Sequence, residues 1–268
     1  MNPIHIALIG VGRMGTVMAK GWLRDPAPDM RLSLIAPRPS APNLALAQDK
    51  RVTLNPSPMV ADIVVIAVKP QIFPDAIADI EPWIGPETLV LSIMAGFRLD
   101  QLAGALKTGR IIRAMPNVAG AIGKGVSLIS HGTHVTPDNS AVATTLLSVL
   151  GHVEGPMPEG QMPVATALSG CGPAYVFLLA EAMANAGENE GLAPDLALKL
   201  AKETIIGAAS LMQDDPRHPS ELRDSVTSKS GVTEAALDVL MDGEGIPTLM
   251  RKAVRAAANR ERTLSNSR

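Results

Sequence analysis

Ile4-His5-Ile6-Ala7-Leu8-Ile9-Gly10-Val11-Gly12-Arg13-Met14-Gly15 decides the fold of this chain. Ile4–Ile9 is an apolar run suited to a strand buried on both faces. The glycines at 10, 12 and 15 follow at once and open a helical pattern over residues 14–23. In such a turn the first glycine allows the tight reversal, the second lets phosphates approach the backbone, and the third lets the helix pack closely on the strand. The helix N-terminus presents free N–H groups and the positive end of its dipole to an anion. A strand, a glycine turn and a helix in this order point to a bound dinucleotide.

Further along, short apolar runs alternate with helical patterns. Residues 31–36, 63–68, 89–93 and 110–114 read as strands, and residues 43–48, Leu99–Leu106 and 137–150 as helices, the last capped by Thr136 with Pro137 at its first position. This alternation predicts an α/β fold with an N-terminal Rossmann-type, doubly wound parallel sheet. Gly155-Pro156-Met157-Pro158-Glu159-Gly160 then breaks the pattern. Beyond it, residues 161–186, 194–213, 231–241 and 246–264 carry helical periodicity and no strand stands out. The expected organisation is a dinucleotide-binding domain over residues 1–155 and an all-helical domain over residues 156–268.

Composition narrows the function. Hydrophobic residues make up 46% of the 268 residues but aromatics only 2%, so close-packed aliphatic helices must supply much of the burial. Net charge is −2, and no segment combines Lys and Arg with stacking aromatics, so nucleic acid is not an expected partner. Cys171 is the single cysteine, which excludes an intrachain disulfide. Flanked by glycines, it reads as a small packing residue more readily than as a nucleophile. The five histidines are scattered without ligand spacing, and no metal site is expected. Met1 runs almost directly into an apolar strand with no basic leader, and the apolar run at 173–180 is too short for a bilayer. These features predict a soluble, cytoplasmic protein without a membrane partner.

The end of the second strand tests cofactor choice. Leu34-Ile35-Ala36-Pro37-Arg38-Pro39-Ser40 lacks the acidic residue that binds a ribose 2′-hydroxyl. Arg38 suits a 2′-phosphate instead, with Ser40 as a further hydrogen-bond donor, so NADPH is expected over NADH, which stays possible. Ala67-Val68-Lys69-Pro70-Gln71 and Ser92-Ile93-Met94-Ala95-Gly96 follow strand ends, where open α/β sheets bind ligands. Lys69 reads equally well as an ordinary surface lysine.

Five motifs in order resemble one family. They are the glycine turn with Met14, residues 67–71, Arg113-Ala114-Met115-Pro116-Asn117, Thr166-Ala167-Leu168-Ser169-Gly170-Cys171-Gly172-Pro173-Ala174-Tyr175, and Leu222-Arg223-Asp224-Ser225-Val226-Thr227-Ser228 with Gly231 and Thr233. Over nearly its whole length the chain resembles the pyrroline-5-carboxylate reductases. The resemblance implies NAD(P)H-dependent reduction of the cyclic imine 1-pyrroline-5-carboxylate to L-proline, a step of proline biosynthesis. It implies cofactor contacts at Gly10, Val11, Gly12, Arg13, Met14, Asn55, Ala67, Val68, Lys69, Pro70, Ile93, Met94 and Ala95. Around the substrate it implies Glu159, Thr166, Ser228, Val232 and Thr233. It further implies that the helical domain is a dimerisation domain exchanging helices between subunits, that one active site draws on two chains, and that dimers can assemble into rings of five.

The residues fit that chemistry. A protonated imine is already an electrophile, so orientation can supply most of the catalysis. Backbone N–H groups around Gly231–Thr233, at a predicted helix start, suit the substrate carboxylate, and Thr166 suits the imine nitrogen. A β-hydroxyacid dehydrogenase would need a proton-transferring lysine where this chain has Val176. The chain also departs from the family: Lys229-Ser230 replaces a Pro-Gly pair, Val118-Ala119 a Thr-Pro pair, Pro163 a common Asp, and Glu190 an apolar residue. A left-handed backbone at Ser230 would be strained. These departures keep open a reductase of a related cyclic imine and a non-catalytic, NADP-binding regulatory protein.

Overall fold

The computed structural model describes residues 3–24 and 29–266. Eight strands form one sheet: β1 (Ile4–Ile9), β2 (Met30–Ile35), β3 (Val52–Leu54), β4 (Ile63–Ile66), β5 (Leu89–Ser92), β6 (Ile111–Pro116), β7 (Gly125–His131) and β8 (Gly151–Glu154). Their order is β3-β2-β1-β4-β5-β6-β7-β8. The direction of winding reverses between β1 and β4, which makes their shared C-terminal end the place where a ligand binds in such sheets. The strands expected from the sequence, β1, β2, β4, β5 and β6, pair in parallel, whereas β7, which the sequence did not show, runs antiparallel to β6. A short 3-10 turn at Val118–Ile122 links them directly, too few residues for a crossover helix.

Consecutive residues of a strand point to opposite faces, and in β1 both faces are buried. Ile6 and Leu8 join one apolar cluster, with Met18, Trp22, Leu34 and Leu147. Ala7 and Ile9 join the other, with Phe73, Trp83, Val90 and Leu102. The helices around the sheet are α1 (Arg13–Arg24), α2 (Ala41–Leu46), α3 (Phe73–Ile80), α4 (Leu99–Leu106) and α5 (Pro137–Ser148). Thr136 caps α5 as expected, accepting a hydrogen bond from the Asn139 N–H at 3.2 Å. The buried Trp22 indole donates to the Leu146 carbonyl at 2.7 Å, so α1 is tied to α5 without an unpaired polar atom.

The later helices are α6 (Met162–Ser169), α7 (Gly172–Asn189), α8 (Pro194–Asp214), α9 (Pro219–Ser225), α10 (Val232–Leu240) and α11 (Ile246–Asn266). The single helix expected over residues 161–186 is broken between α6 and α7. Pro173 at the start of α7 lacks an N–H and cannot continue the preceding turn.

The chain divides into two compact units, Met1–Gly170 with Ala257–Arg268, and Cys171–Ala256. The last described strand ends at Glu154, one residue before the domain boundary drawn from the sequence, and the first unit also takes α6 and the last turns of α11. In the second unit α7 packs on α8. Ala184 of α7 and Ala197 and Ala201 of α8 are buried, and a side chain at Gly187 would crowd Leu192 and Ala197, so small residues let these helices approach closely.

The apolar run at residues 173–180 is part of a longer apolar segment. Glu159–Asn189 contains an 18-residue stretch of mean hydropathy 1.4, long and apolar enough by composition to cross a bilayer. The break between α6 and α7, at residues 170–171, falls inside that segment.

Candidate functional site

The segments expected to hold a dinucleotide gather at one edge of the sheet, because each follows the C-terminal end of a parallel strand. Backbone bonds carry the strand register into them. Gly10 N–H donates to Ile35 O, Ala67 N–H to Ile9 O, Ile93 N–H to Ile66 O and Asn55 N–H to Leu34 O, at 2.8–3.0 Å. Gly10 has φ +90°, and a Cβ there would lie 2.6 Å from Val68 N, so the turn is packed against residues 67–68. A Cβ on Gly15 would lie 2.7 Å from Gly10 O. Gly12 differs: a Cβ there meets no atom within 4 Å, so packing within the chain gives no reason for glycine. A ligand approaching the backbone does.

Arg13, Arg38 and Lys69 are exposed, and none forms an ion pair with a described residue. They leave positive charge free at the edge where phosphates are expected. Met14, Ala67, Val68, Pro70 and Ile93 are half-buried and Ala95 is exposed. Val11 and Met94 are buried in the core, so they offer a ligand their backbone alone. Asn55 has φ 48°, and its side chain accepts from Ala36 N–H at 2.8 Å and donates to Ala36 O at 2.9 Å. It therefore braces the root of the loop that carries Arg38. Ser40 corrects the sequence reading. Its hydroxyl and its N–H both donate to Asn43 Oδ1 at 2.9 Å, so it has no hydrogen to offer a phosphate.

Thr166 lies on α6, buried, with an Oγ1 that has no hydrogen-bond partner among the described residues. A buried hydroxyl without a partner costs about 1–3 kcal/mol, and is tolerated where a ligand can satisfy it. The helix beneath that hydroxyl is clamped at both ends by the Arg113-to-Asn117 motif. Asn117 Nδ2 donates to Ser169 O at 2.9 Å at the C-terminal end. At the other end Arg113, only 1% exposed, donates to Glu159 Oε1 at 2.7 Å and to Glu261 Oε1 at 2.6 Å. Glu159 opens the 3-10 turn Glu159–Gln161 that leads into α6, and its Oε1 also accepts from Leu99 N–H at 3.3 Å. Glu159 Oε2 and Arg113 Nε are buried without partners among the described residues.

Glu261 belongs to the last turns of α11, which are fastened again by Gln101 Nε2 donating to Ser265 O and Arg98 Nη1 to Asn266 Oδ1. Sequence reasoning quoted Arg113 and Asn117 but gave them no role. The signal was present, since Arg113 is a charge inside the otherwise apolar strand β6.

The expected carboxylate loop lies in the second unit. Gly231 is the N-cap of α10, and its N–H donates to Ser228 O at 3.0 Å. A side chain at Gly231 would run into Ser228 Oγ. Val232 is 91% exposed and Thr233 is exposed. Ser230 has φ 59°, the left-handed backbone expected to strain it, and its N–H donates to the Glu234 carboxylate. Cys171 is the N-cap of α7 and hydrogen-bonds Tyr175, whose phenol is held above its usual value by burial first and then by that thiol. Among the described residues no cluster of His, Cys, Asp and Glu suits a metal ion.

Comparison with known proteins accounts for both halves. Residues 159–264 match the family model described as pyrroline-5-carboxylate reductase dimerisation, and residues 5–96 match NADP oxidoreductase, coenzyme F420-dependent. The chain is 36% identical to the pyrroline-5-carboxylate reductase of Glycine max, over 97% of this chain and 96% of that one. It is 34% identical to that of Methanosarcina acetivorans, over 98% and 99%. The structure of the Coxiella burnetii enzyme superposes with a TM-score of 0.87 at 31% identity, covering 98% of this chain and 99% of that one. The Plasmodium falciparum enzyme, solved with NADP bound, superposes at 0.81 with 25% identity, covering 99% of each. With the glycine turn, the clamped Thr166 helix and the Gly231 loop all present along a full-length match, the chain belongs to the pyrroline-5-carboxylate reductase family.

Proposed function

We propose that this protein reduces 1-pyrroline-5-carboxylate to L-proline with NADPH, as a step of proline synthesis. The observation that carries the reading is the Thr166 hydroxyl, buried without a partner on a helix held at both ends. The dinucleotide fits the residues present, since Gly12 has no internal reason to be glycine and three exposed cations form no ion pair among the described residues. When bound, the reduced nicotinamide supplies a hydride.

The Gly10–Met14 turn and the start of α1 hold the pyrophosphate through backbone N–H groups. Arg38 pairs with the 2′-phosphate, and Asn55 holds Arg38's loop in place. Residues 67–70 and 93–95 line the remaining cofactor surface. The substrate's C=N carbon gains a hydride and its nitrogen, protonated from solution, becomes the secondary amine. Thr166 Oγ orients that nitrogen. The N–H groups of Val232 and Thr233, in the first turn of α10, hold the carboxylate, with Gly231 and Ser228 shaping the loop and Thr233 Oγ adding a hydrogen bond. Glu159 acts through its ion pair with Arg113, which places the start of α6. No side-chain base is required, and orientation supplies most of the acceleration.

The protein works as a homodimer built through the helical region, whose exposed Phe177 (65%) and Leu178 (64%) need a cover. Five such dimers form a ring in this reading, and the enzyme is cytoplasmic. Light scattering on the purified protein tests the assembly. Incubation with NADPH and 1-pyrroline-5-carboxylate tests the activity: reduced cofactor should disappear in step with proline formed. NADPH binding without turnover would instead support a regulatory protein, and turnover confined to the six-membered imine a related reductase.

A further inference from the structure

The loop from Ala36 to Ser40 is exposed beyond Ala36, yet it is pinned at both ends by amide side chains. Asn55 holds the backbone of Ala36 through two hydrogen bonds of 2.8 and 2.9 Å. Asn43, 1% exposed, holds Ser40 through its N–H and its hydroxyl, both at 2.9 Å. Because the Ser40 N–H can only donate, it fixes which end of the Asn43 amide is oxygen. The amide nitrogen must then face the other way. It donates to Val11 O at 3.2 Å and to Thr16 Oγ1 at 3.3 Å, and that hydroxyl donates to Val11 O at 3.4 Å.

Asn43 is thus a strut between two loops. Val11 is the middle residue of the glycine turn, and Ser40 lies two residues after Arg38. Pro37 and Pro39 flank Arg38 and fix their own φ angles, so the ends of the loop set where Arg38 stands. The turn and the arginine are expected to grip two anionic groups of one ligand, the pyrophosphate and the 2′-phosphate, whose separation the adenosine ribose limits. Holding the two binding groups at a set spacing before the ligand arrives removes an ordering cost from binding. NADH shares the pyrophosphate but lacks the 2′-phosphate, so it gains nothing from where Arg38 stands.

We infer that Asn43 is a positioning residue for cofactor choice: by tying Val11 to Ser40 it sets the distance from the pyrophosphate turn to Arg38, and so favours NADPH over NADH. The inference rests on the reading that Arg38 takes the 2′-phosphate.

The test is a set of fluorescence titrations of the full-length protein with NADPH and with NADH, for wild type, Arg38→Gln, Asn43→Ala and Ser40→Ala. Arg38→Gln should abolish the preference for NADPH. Asn43→Ala should lower it about tenfold, the scale of one charge-neutral hydrogen-bond network, chiefly by weakening NADPH. Ser40→Ala removes only the hydroxyl bond from an exposed position and should lower the preference by about threefold. If Asn43→Ala does not fold, Ser40→Ala decides alone.

A merely structural role would weaken both cofactors alike. Equal weakening, or none, in Asn43→Ala and Ser40→Ala while Arg38→Gln collapses the preference overturns the inference and leaves the cofactor reading standing. A preference that survives Arg38→Gln, or is absent from the wild type, overturns the Arg38 reading and the inference with it.

Discussion

The two compact units bury their apolar side chains in different ways. In the first, Leu8, Val65, Leu91 and Ile112 have no exposed surface, and helices cover both faces of the strands that carry them. In the second, α7 and α8 bury small alanines against each other and leave Val176, Phe177, Leu178 and Leu179 outward. A fully buried Leu or Phe contributes about 1.5–3 kcal/mol, so a face this apolar is not left to water without a partner. The sheet is completed by its own chain, whereas the helical unit is shaped to be completed by a second copy.

The largest expected effect breaks the self-sufficiency of the first unit. Arg113→Met leaves Glu159 and Glu261 without their shared cation and should cost about 3–5 kcal/mol, read as a lower denaturant midpoint. A loss under about 1 kcal/mol would mean that the cluster does not hold α6 and α11. Next, Leu178→Asp attacks the open face of the second unit. Truncated or charged interface centres cost about 2 kcal/mol or more, so the dimer should give way to a smaller species in light scattering. A persisting dimer would move the subunit contact elsewhere.

Thr166→Val keeps the volume and deletes the hydroxyl. We expect kcat/KM to fall by roughly 10- to 100-fold with NADPH affinity unchanged, the scale of a hydrogen bond to a charged group. Unchanged turnover would remove Thr166 from the mechanism. Ser230→Gly relieves a left-handed residue and should stabilise the protein by roughly 1 kcal/mol, with any change in substrate KM showing how far the strain serves the loop.

The smallest effect is a slope with pH. His5 is buried beside Ser33, and burial holds its pKa below the ordinary 6.5. The unfolded chain therefore takes up the proton first. Stability from keeping His5 neutral is complete above pH 6.5 and declines as pH falls through the lower folded value. His5→Gln should flatten the dependence of Tm on pH below 6.5; an unaltered slope would assign it to other groups.

The first unit was legible where strands are buried on both sides. β1, β2, β4 and β5 are nearly continuous apolar runs, and the glycine turn declares itself by spacing. β3 has three residues, and β8 is an edge strand of alternating burial containing His152 and Glu154, so neither contrasts with a loop. β7 begins at Gly125 and carries Ser127, Ser130 and His131, so it shows no continuous apolar run. α9, seven residues with three charges, has no apolar stripe to read. The segments expected to hold the cofactor could be grouped from the sequence because each follows a strand end. The clamp on Thr166 was not legible, because Arg113 finds its partners 46 and 148 residues away, and nothing in local spacing names them. Asn43 was hidden for the same reason: a short polar residue in a six-residue helix gives no sign that it reaches Val11, 32 residues earlier.

The long reach of Arg113 also bears on how the protein is made. The ribosome releases Arg113 148 residues before Glu261. Until then, the strand that will line the middle of the sheet carries a guanidinium with at most one of its two carboxylates, a costly thing to bury. The N-terminal half can collapse early, but β6 should settle only when the last turns of α11 emerge. Synthesis of the helical unit therefore falls between the start and the completion of the sheet. Dimer-forming helices are thus exposed while the nucleotide half is still unfinished, and assembly and folding compete for the same interval.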